Sequence, residues 1–422
     1  MTAITEEATE EQHQQRVPAE TRPVSDAKVP SARDSTSAEA PVALVSGIVD
    51  LTDGRGYLRT TGYRRSATDL PLTAGQVRTF GLRKGDQIDA TVSGDRTVGG
   101  GAAGKKAANG QRAQEAGRVE VTAINGQPPD EARKRRRFDD LTPLYPNQRF
   151  RLEDGDPSPA ARIIDLVSPI GKGQRGLIVA PPKAGKTTVL KTIAHAIAAA
   201  HPDVHLMLVL VGERPEEVTD LRRSIRGEVI SSTFDQSPAD HVLAAELAIE
   251  RAKRLAELGL DVVVMLDSLT RLGRAYNLAA PANGRTLSGG VAASALQPPR
   301  QFLGAARSLE EGGSLTILST ALVDTGSQLD NVLFEEFKGT GNMELRLRRD
   351  LAEKRIFPAI DPAPSSTRRD DLLMTAEEHE VMARLRRVLA ELDPQQGIEL
   401  LLDRTRNTAS NAEFLRQIQL SA

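Results

Sequence analysis

The chain has 422 residues, 39% of them hydrophobic, and 55 Lys and Arg against 57 Asp and Glu give a formal net charge of −2. That length predicts two or three domains with cores built on Leu, Val, Ile and Ala, since aromatics are only 3%; the balanced charge leaves any nucleic-acid role to local basic patches. The absence of cysteine excludes disulfides and thiolate metal sites and fits a reducing cytoplasm, while the lack of a long apolar run and the acidic, polar start predict neither a membrane span nor a signal peptide.

Residues 1–40 are rich in Glu, Gln, Ser, Thr, Ala and Pro and read as a disordered tail. Short strands broken by turns follow. Residues 45–51 alternate, Asp53-Gly54 marks a turn, and 56–60 form a second strand. Residues 76–80 read as a short bridging segment. Lys84-Gly85-Asp86 turns into a strand at 87–92, residues 99–110 form a low-complexity loop with Lys105 and Lys106, and 118–124 return as the last strand. Five short segments in about eighty residues predict a small β-barrel of the oligonucleotide-binding (OB) class, assigned to 41–129. Residues 130–156 read as a charged connector. Its run Arg133-Lys134-Arg135-Arg136-Arg137 is either a contact for RNA phosphates or a solvated linker face. Phe138-Asp139-Asp140 quickly restores the charge balance and favours the linker.

From 157 to 422 strands alternate with helices. Apolar strands are predicted at 176–179, 204–211, 228–232, 261–265 and 314–320. Helices are predicted at 188–199 and 241–257, and closing helices at 375–392 and 398–406. The alternation predicts a parallel sheet covered on both faces.

Ala180-Pro181-Pro182-Lys183-Ala184-Gly185-Lys186-Thr187 follows the apolar run Leu177-Ile178-Val179. Strand, tight loop and helix in that order make a phosphate-binding loop. Gly185 lets the backbone amides curl around a phosphate, Lys186 supplies a point charge, and Thr187 supplies a hydroxyl for Mg²⁺ at a helix N-terminus. Ala180 stands where the usual pattern has its first glycine.

Asp267 ends the strand at 261–265, where the Mg²⁺ shell of a bound nucleotide is expected. Glu213 ends the strand at 204–211. It reads either as the group that orients an attacking water or as half of a surface pair with Arg214. Arg271 and Arg368 could neutralise charge on a transferred phosphate; singly, each also reads as a solvated cation, and residue-level reasoning does not choose between these. The segments 287–291 (with Gly289, Gly290 and Val291) and 324–328 (with Thr325, Gly326, Ser327 and Gln328) read first as ordinary turns. Both could also hug a sugar-phosphate backbone with main-chain amides.

These residues bring a family resemblance. The chain resembles the transcription termination factor Rho family of bacteria from about residue 42 to its end. The densest matches run from Ser168-Pro169-Ile170-Gly171-Lys172-Gly173-Gln174-Arg175-Gly176 to Arg368. They include Glu-Arg-Pro-Glu-Glu-Val-Thr (213–219), Leu-Asp-Ser-Leu-Thr-Arg-Leu-Gly-Arg-Ala-Tyr-Asn (266–277), Glu-Glu-Phe-Lys-Gly-Thr-Gly-Asn (335–342) and Glu-Lys-Arg-Ile-Phe-Pro-Ala-Ile-Asp (353–361). The resemblance implies an α/β RecA-like P-loop ATPase domain, its mostly parallel sheet flanked by helices, behind a smaller N-terminal OB-like barrel.

It also implies a cytoplasmic homohexamer that hydrolyses ATP with Mg²⁺, translocates 5′ to 3′ on single-stranded RNA and releases nascent transcripts from RNA polymerase. By position, the loop Lys183, Ala184, Gly185, Lys186, Thr187 and Thr188 should hold nucleotide, with Thr187 and Asp267 on the metal. Glu213 should activate water, Arg271 should link RNA to the nucleotide, and Arg368 should reach a neighbouring subunit's site. Phe357 should stack on adenine, with Arg214 near the pocket. Residues 287–291 and 324–328 should line the RNA channel. In the barrel, Arg55, Tyr57 and Arg59 should bind RNA.

Several positions depart from the family pattern. The barrel motif Gly-Phe-Gly-Phe-Leu-Arg reads Gly54-Arg55-Gly56-Tyr57-Leu58-Arg59, and a further aromatic is replaced by Pro71. Bases stack on aromatic faces, so the primary RNA site should be weakened or retuned unless Arg55 compensates. Gln328 replaces a lysine and Gly212 an aspartate, which predicts a specialised copy tolerant of an inhibitor such as bicyclomycin. Two rival readings are another RecA-like motor, of rotary or secretion type with protein partners, and an RNA-binding regulator without motor action.

Overall fold

The computed structural model describes residues 42–52, 54–93, 118–281 and 284–420. The predicted tail at 1–40 and the low-complexity loop at 99–110 lie outside the described residues.

The N-terminal part is an antiparallel sheet of five strands: β1 (Val42–Thr52), β2 (Arg55–Arg59), β3 (Leu70–Leu72), β4 (Gln87–Ser93) and β5 (Arg118–Ile124), in the order β3-β2-β1-β4-β5. The fifth strand is therefore Leu70–Leu72. The expected bridging segment at 76–80 is instead part of a helix, α1 (Ala74–Phe80), started by a capping box between Thr73 and Gln76. This helix spans the gap between β3 and β5, where Gln76 Nε2 donates to the Val119 carbonyl at 2.7 Å. Val49, Leu58, Leu72, Ile88, Val121 and Ile124 fill the interior, the alternation expected when one face of each strand is buried.

The larger part is built on a nine-stranded sheet. Its main strands are β6 (Arg175–Ala180), β7 (His205–Glu213), β8 (Glu228–Thr233), β9 (Asp261–Asp267), β10 (Ser314–Leu322), β11 (Met343–Leu347) and β12 (Ile360–Thr367). They lie in the order β8-β7-β9-β10-β6-β11-β12, parallel except for β11 with β12. Along β7, Leu206, Leu208 and Leu210 enter one core and Met207, Val209 and Val211 the other. Both faces are covered, so the strand reads as a continuous apolar run. One face packs α2 (Lys186–Ala200) and the C-terminal helices. The other packs α4 (Pro238–Ala256), α5 (Leu269–Ala279), α6 (Ala293–Gly304) and α7 (Gln328–Lys338), while α3 (Pro215–Ser224) follows β7. The chain closes on α8 (Ala376–Glu391), α9 (Pro394–Arg406) and α10 (Asn411–Leu420).

The two parts are locked together by buried charge. The Glu257 side chain at the end of α4 is fully buried. It meets Arg254 at 3.0 Å, Arg83 of the small sheet at 3.0 Å and Arg135 at 3.5 Å. Arg135 also bonds Asp86 at 2.5 Å. Nearby, Tyr63 donates to Glu228 at 2.5 Å and Arg251 donates to Gln87 at 2.8 Å. Within the basic run, Arg135 is thus a structural residue, whereas Arg133, Lys134, Arg136 and Arg137 are exposed.

Candidate functional site

The phosphate-binding loop sits at the carboxyl end of β6, between that strand and α2. Gly185 caps the helix at φ +89°, a left-handed conformation that glycine adopts without Cβ strain. A side chain there would point at the Phe357 ring, about 3.7 Å away. Ala180 is a regular, buried strand residue paired with Leu322. Its methyl group therefore leaves the loop geometry intact.

Three neighbouring elements deliver the charged centre. Lys186 Nζ lies 3.1 Å from Glu213 Oε1 and donates a short hydrogen bond to Asp267. Asp267 also accepts from Thr320 on β10 at 2.7 Å. Burial opposes the charge on Lys186, but Asp267 and Glu213 outweigh it and hold the ammonium above its ordinary pKa. Burial pushes the Glu213 carboxyl up and the Asp267 charge adds to this. Lys186 and Arg271 offset only part of it.

Glu213 is aimed by a bulge. The β7–β8 register slips between Val211 and Glu213, with Gly212 at φ +67°. Arg271 donates to the Gly212 carbonyl, and its Nε lies 3.4 Å from Glu213. A Cβ at position 212 would stand 3.2 Å from the Arg271 side chain. Glycine here thus permits both the bulge and the close packing of Arg271.

ATP with Mg²⁺ fits this set. Two buried carboxylates converge on one cation, a helix N-terminus opens beside them, and Arg271 Nε is a buried donor without a hydrogen-bond partner. Thr187 is half-buried at the helix start, and Lys183 and Thr188 are exposed. Ala184 is buried, so only its backbone is available. Phe357, 47% exposed, lies over the loop. Arg214 is 68% exposed, with Glu217 3.9 Å away, so Glu213 and Arg214 do not form the surface pair that was the alternative reading.

Arg368 lies elsewhere. Met343 pairs with both Gly176 and Thr367, which places Arg368 near the amino end of β6. Four strand residues, about 13 Å, separate that level from the phosphate loop. It is exposed and does not join its own chain's charged centre.

The two glycine-bearing loops come together. Gly289 abuts the backbone of Gln328, where a Cβ would be 3.2 Å from the main chain. Gly289, Gly290, Gly326 and Gln328 are exposed. Val291 is fully buried and anchors the loop, so only its backbone is available to a ligand. The Thr325 hydroxyl donates to Asp330 at 2.6 Å and the Ser327 side chain caps α7, so both are engaged within the loop.

In the small sheet, Tyr57 faces Pro71 across β2 and β3, and Arg55 is exposed. Arg59, expected to bind RNA, has its charge taken up within the sheet. It is buried, bonded to Asp50 and to Asp69 (2.6 Å), and its guanidinium lies 5.0 Å from the Tyr57 ring centre.

Sequence reasoning missed the groups that tie these pieces together: Thr320, Asp330, Arg274 and Asn277. Arg274 bonds Asp330 at 2.8 and 2.5 Å, and Asn277 bonds the 287–291 loop. The available signal was spacing, because Arg271, Arg274 and Asn277 recur every third residue along α5.

A phosphate loop with paired strand-end carboxylates on a doubly covered parallel sheet defines a RecA-like P-loop nucleotide-binding protein, here with an OB-like sheet in front. Residues 160–367 match the ATP synthase alpha/beta family, nucleotide-binding domain, and residues 45–130 match the Rho termination factor, RNA-binding domain. The chain is 54% identical over 393 residues to transcription termination factor Rho of Streptosporangium roseum, covering 93% of this chain and 96% of that protein. Against Rho of Streptomyces lividans it is 57% identical over 376 residues, or 89% of this chain. It spans about half the length of the Streptomyces lividans and Micrococcus luteus relatives (52% and 53%). A prototypical type III secretion ATPase shares the fold at a TM-score of 0.56 and 24% identity, covering 66% of this chain and 86% of that one. The chain belongs to the transcription termination factor Rho family.

Proposed function

We propose that this protein is an RNA-dependent ATPase that moves 5′ to 3′ along single-stranded RNA and terminates transcription by releasing the nascent transcript from RNA polymerase. The observation that carries this reading is the grouping of Lys186, Glu213, Asp267 and Arg271 on a sheet whose α5 helix also holds two exposed glycine loops. The division of labour follows as a barrel at 41–129, a connector at 130–156 and a motor at 157–422, working in the cytoplasm. Among the described residues no helix is long and apolar enough to cross a membrane.

In this reading Glu213 orients water against the terminal phosphate and accepts its proton. A raised pKa makes this carboxylate a better proton acceptor than an ordinary one. Lys186 and the loop amides hold the phosphates. Thr187 and Asp267 would hold Mg²⁺, which neutralises phosphate oxygens when bound. Arg368, remote from its own loop, serves the site of the next subunit in a homohexameric ring. RNA in the channel meets Gly289, Gly290, Gly326 and Gln328, while Arg55 and Tyr57 form the primary site, with the buried Arg59 supporting Tyr57 from beside its ring. With one aromatic in that site, the preferred RNA differs from that of relatives with two or three.

The secretion-ATPase reading shares the fold, but the barrel matches an RNA-binding domain. The test is ATP turnover with and without single-stranded RNA. Wild-type turnover should depend on RNA, and Lys186→Ala and Glu213→Ala should lose it. RNA-independent turnover, or full activity in Glu213→Ala, contradicts the reading. Unwinding of an RNA–DNA duplex separates a motor from a regulator that only binds.

A further inference from the structure

The 287–291 loop has few holds of its own. It is a two-pair hairpin, Thr286 with Ala292 and Leu287 with Val291, turned by Gly289 and Gly290 at φ +77° and +75°. Val291 buries one side of it, Gly289 abuts the Gln328 backbone, and a side chain from α5 reaches its tip. Asn277, near the end of α5, donates from Nδ2 to the Gly290 carbonyl at 3.2 Å and accepts from the Ala292 amide at 2.7 Å. A primary amide can do both at once, because it carries a donor and an acceptor on one planar group. Asn277 is half-buried, and its neighbour Leu278 is exposed.

The other end of the same helix begins directly after Asp267 and Ser268, and Arg271 reaches from it to Gly212 and Glu213. Six residues of α-helix separate Arg271 from Asn277, about 9 Å. A helix is stiff over that length, so a shift at Arg271 reaches Asn277 with little loss. The glycines alone would not carry such a shift, since a loop held at one base can flex.

We propose that Asn277 is a positioning residue that clamps the 287–291 loop to α5, so that the loop moves with the helix touching the catalytic carboxylate. This rests on the RNA-dependent reading above. A stiff element with contacts at both ends is one physical route by which two sites become linked.

The test is RNA-stimulated ATP turnover and duplex unwinding by the full chain carrying Asn277→Ala, Asn277→Asp or, as a control, Leu278→Ala. Asn277→Ala should raise the RNA concentration for half-maximal stimulation by about tenfold. It should also lower the duplex unwound per ATP consumed, with the KM for ATP and the thermal midpoint unchanged. Asn277→Asp keeps the acceptor for Ala292 but turns an oxygen towards the Gly290 carbonyl, so it should remain defective. Leu278→Ala should behave as wild type. If Asn277→Ala keeps wild-type RNA dependence and coupling while wild type is stimulated, the clamp is overturned and the reading above survives. If Asn277→Ala instead loses stability and ATP affinity together, its role is structural and the proposal is again overturned. If wild type itself ignores RNA, the underlying reading fails first.

Discussion

Lys186 Nζ stands 3.1 Å from Glu213 Oε1, with Asp267 bonded to the same ammonium. The phosphate-loop cation is thus shared by the two strand-end carboxylates. Glu213 keeps a raised pKa despite this partner because burial and the second carboxylate outweigh it.

That balance gives a pH prediction. Glu213 accepts a proton only when ionised, so turnover should fall as pH drops through its raised pKa. Arg271→Ala removes a positive neighbour, raises that pKa further and should move the acid limb of kcat/KM to higher pH. An unmoved limb in Arg271→Ala would show that a different group controls it.

Phe357 over Gly185 predicts a binding effect. Base stacking on an aromatic face is worth about 1–3 kcal/mol, so Phe357→Ala should raise the KM for ATP by about tenfold with kcat little changed. Phe357→Tyr should retain affinity. Steady-state kinetics at saturating RNA decides it, and an unchanged KM in Phe357→Ala would remove the ring from the nucleotide site.

Asp165 predicts a stability effect far from the site. It is buried, and burial pushes its carboxyl up to about 6 from 3.8, with Arg149 pulling the other way. Between those values the folded chain holds a proton that the unfolded chain has released. Rising pH therefore costs stability across about pH 4 to 6, by up to about 3 kcal/mol at full deprotonation. Asp165→Asn should gain on wild type between pH 4 and pH 7 in urea unfolding. A gap that does not change with pH would refute this.

Glu257 predicts what holds the barrel. Removing it leaves Arg83, Arg135 and Arg254 without their shared carboxylate. Breaking a buried pair costs about 3–5 kcal/mol, so Glu257→Ala should lower the thermal midpoint. It should also speed proteolytic cleavage within 125–145. Wild-type cleavage kinetics would show that the seam is held by other contacts.

The parallel strands and the phosphate loop were legible because each is local: an apolar run, a glycine, a lysine, then helical spacing. The strand Ile360–Thr367 was not, since Pro362 and Pro364 break the pattern. It survives as the sheet's edge, where the register slips across those prolines. Leu70–Leu72 is too short to show alternation. Arg59 read as a cation for RNA because Asp50 and Asp69 become its partners only when β2 pairs with its neighbours. The three-residue spacing puts Arg274 and Asn277 on one side of α5, but their partners, Asp330 and the 287–291 loop, come from later in the chain and meet them only in the fold.

The central claim is that each nucleotide site is completed by a neighbouring subunit. Arg368 at the far end of the sheet makes this testable by mixing Arg368→Ala chains with Lys186→Ala chains. Each variant alone should be inactive. In the mixture, the phosphate loop of one chain meets the intact arginine of the other, so RNA-stimulated ATP turnover should rise well above the sum of the separate activities. Full turnover by Arg368→Ala alone, or a mixture no more active than its parts, would contradict the account.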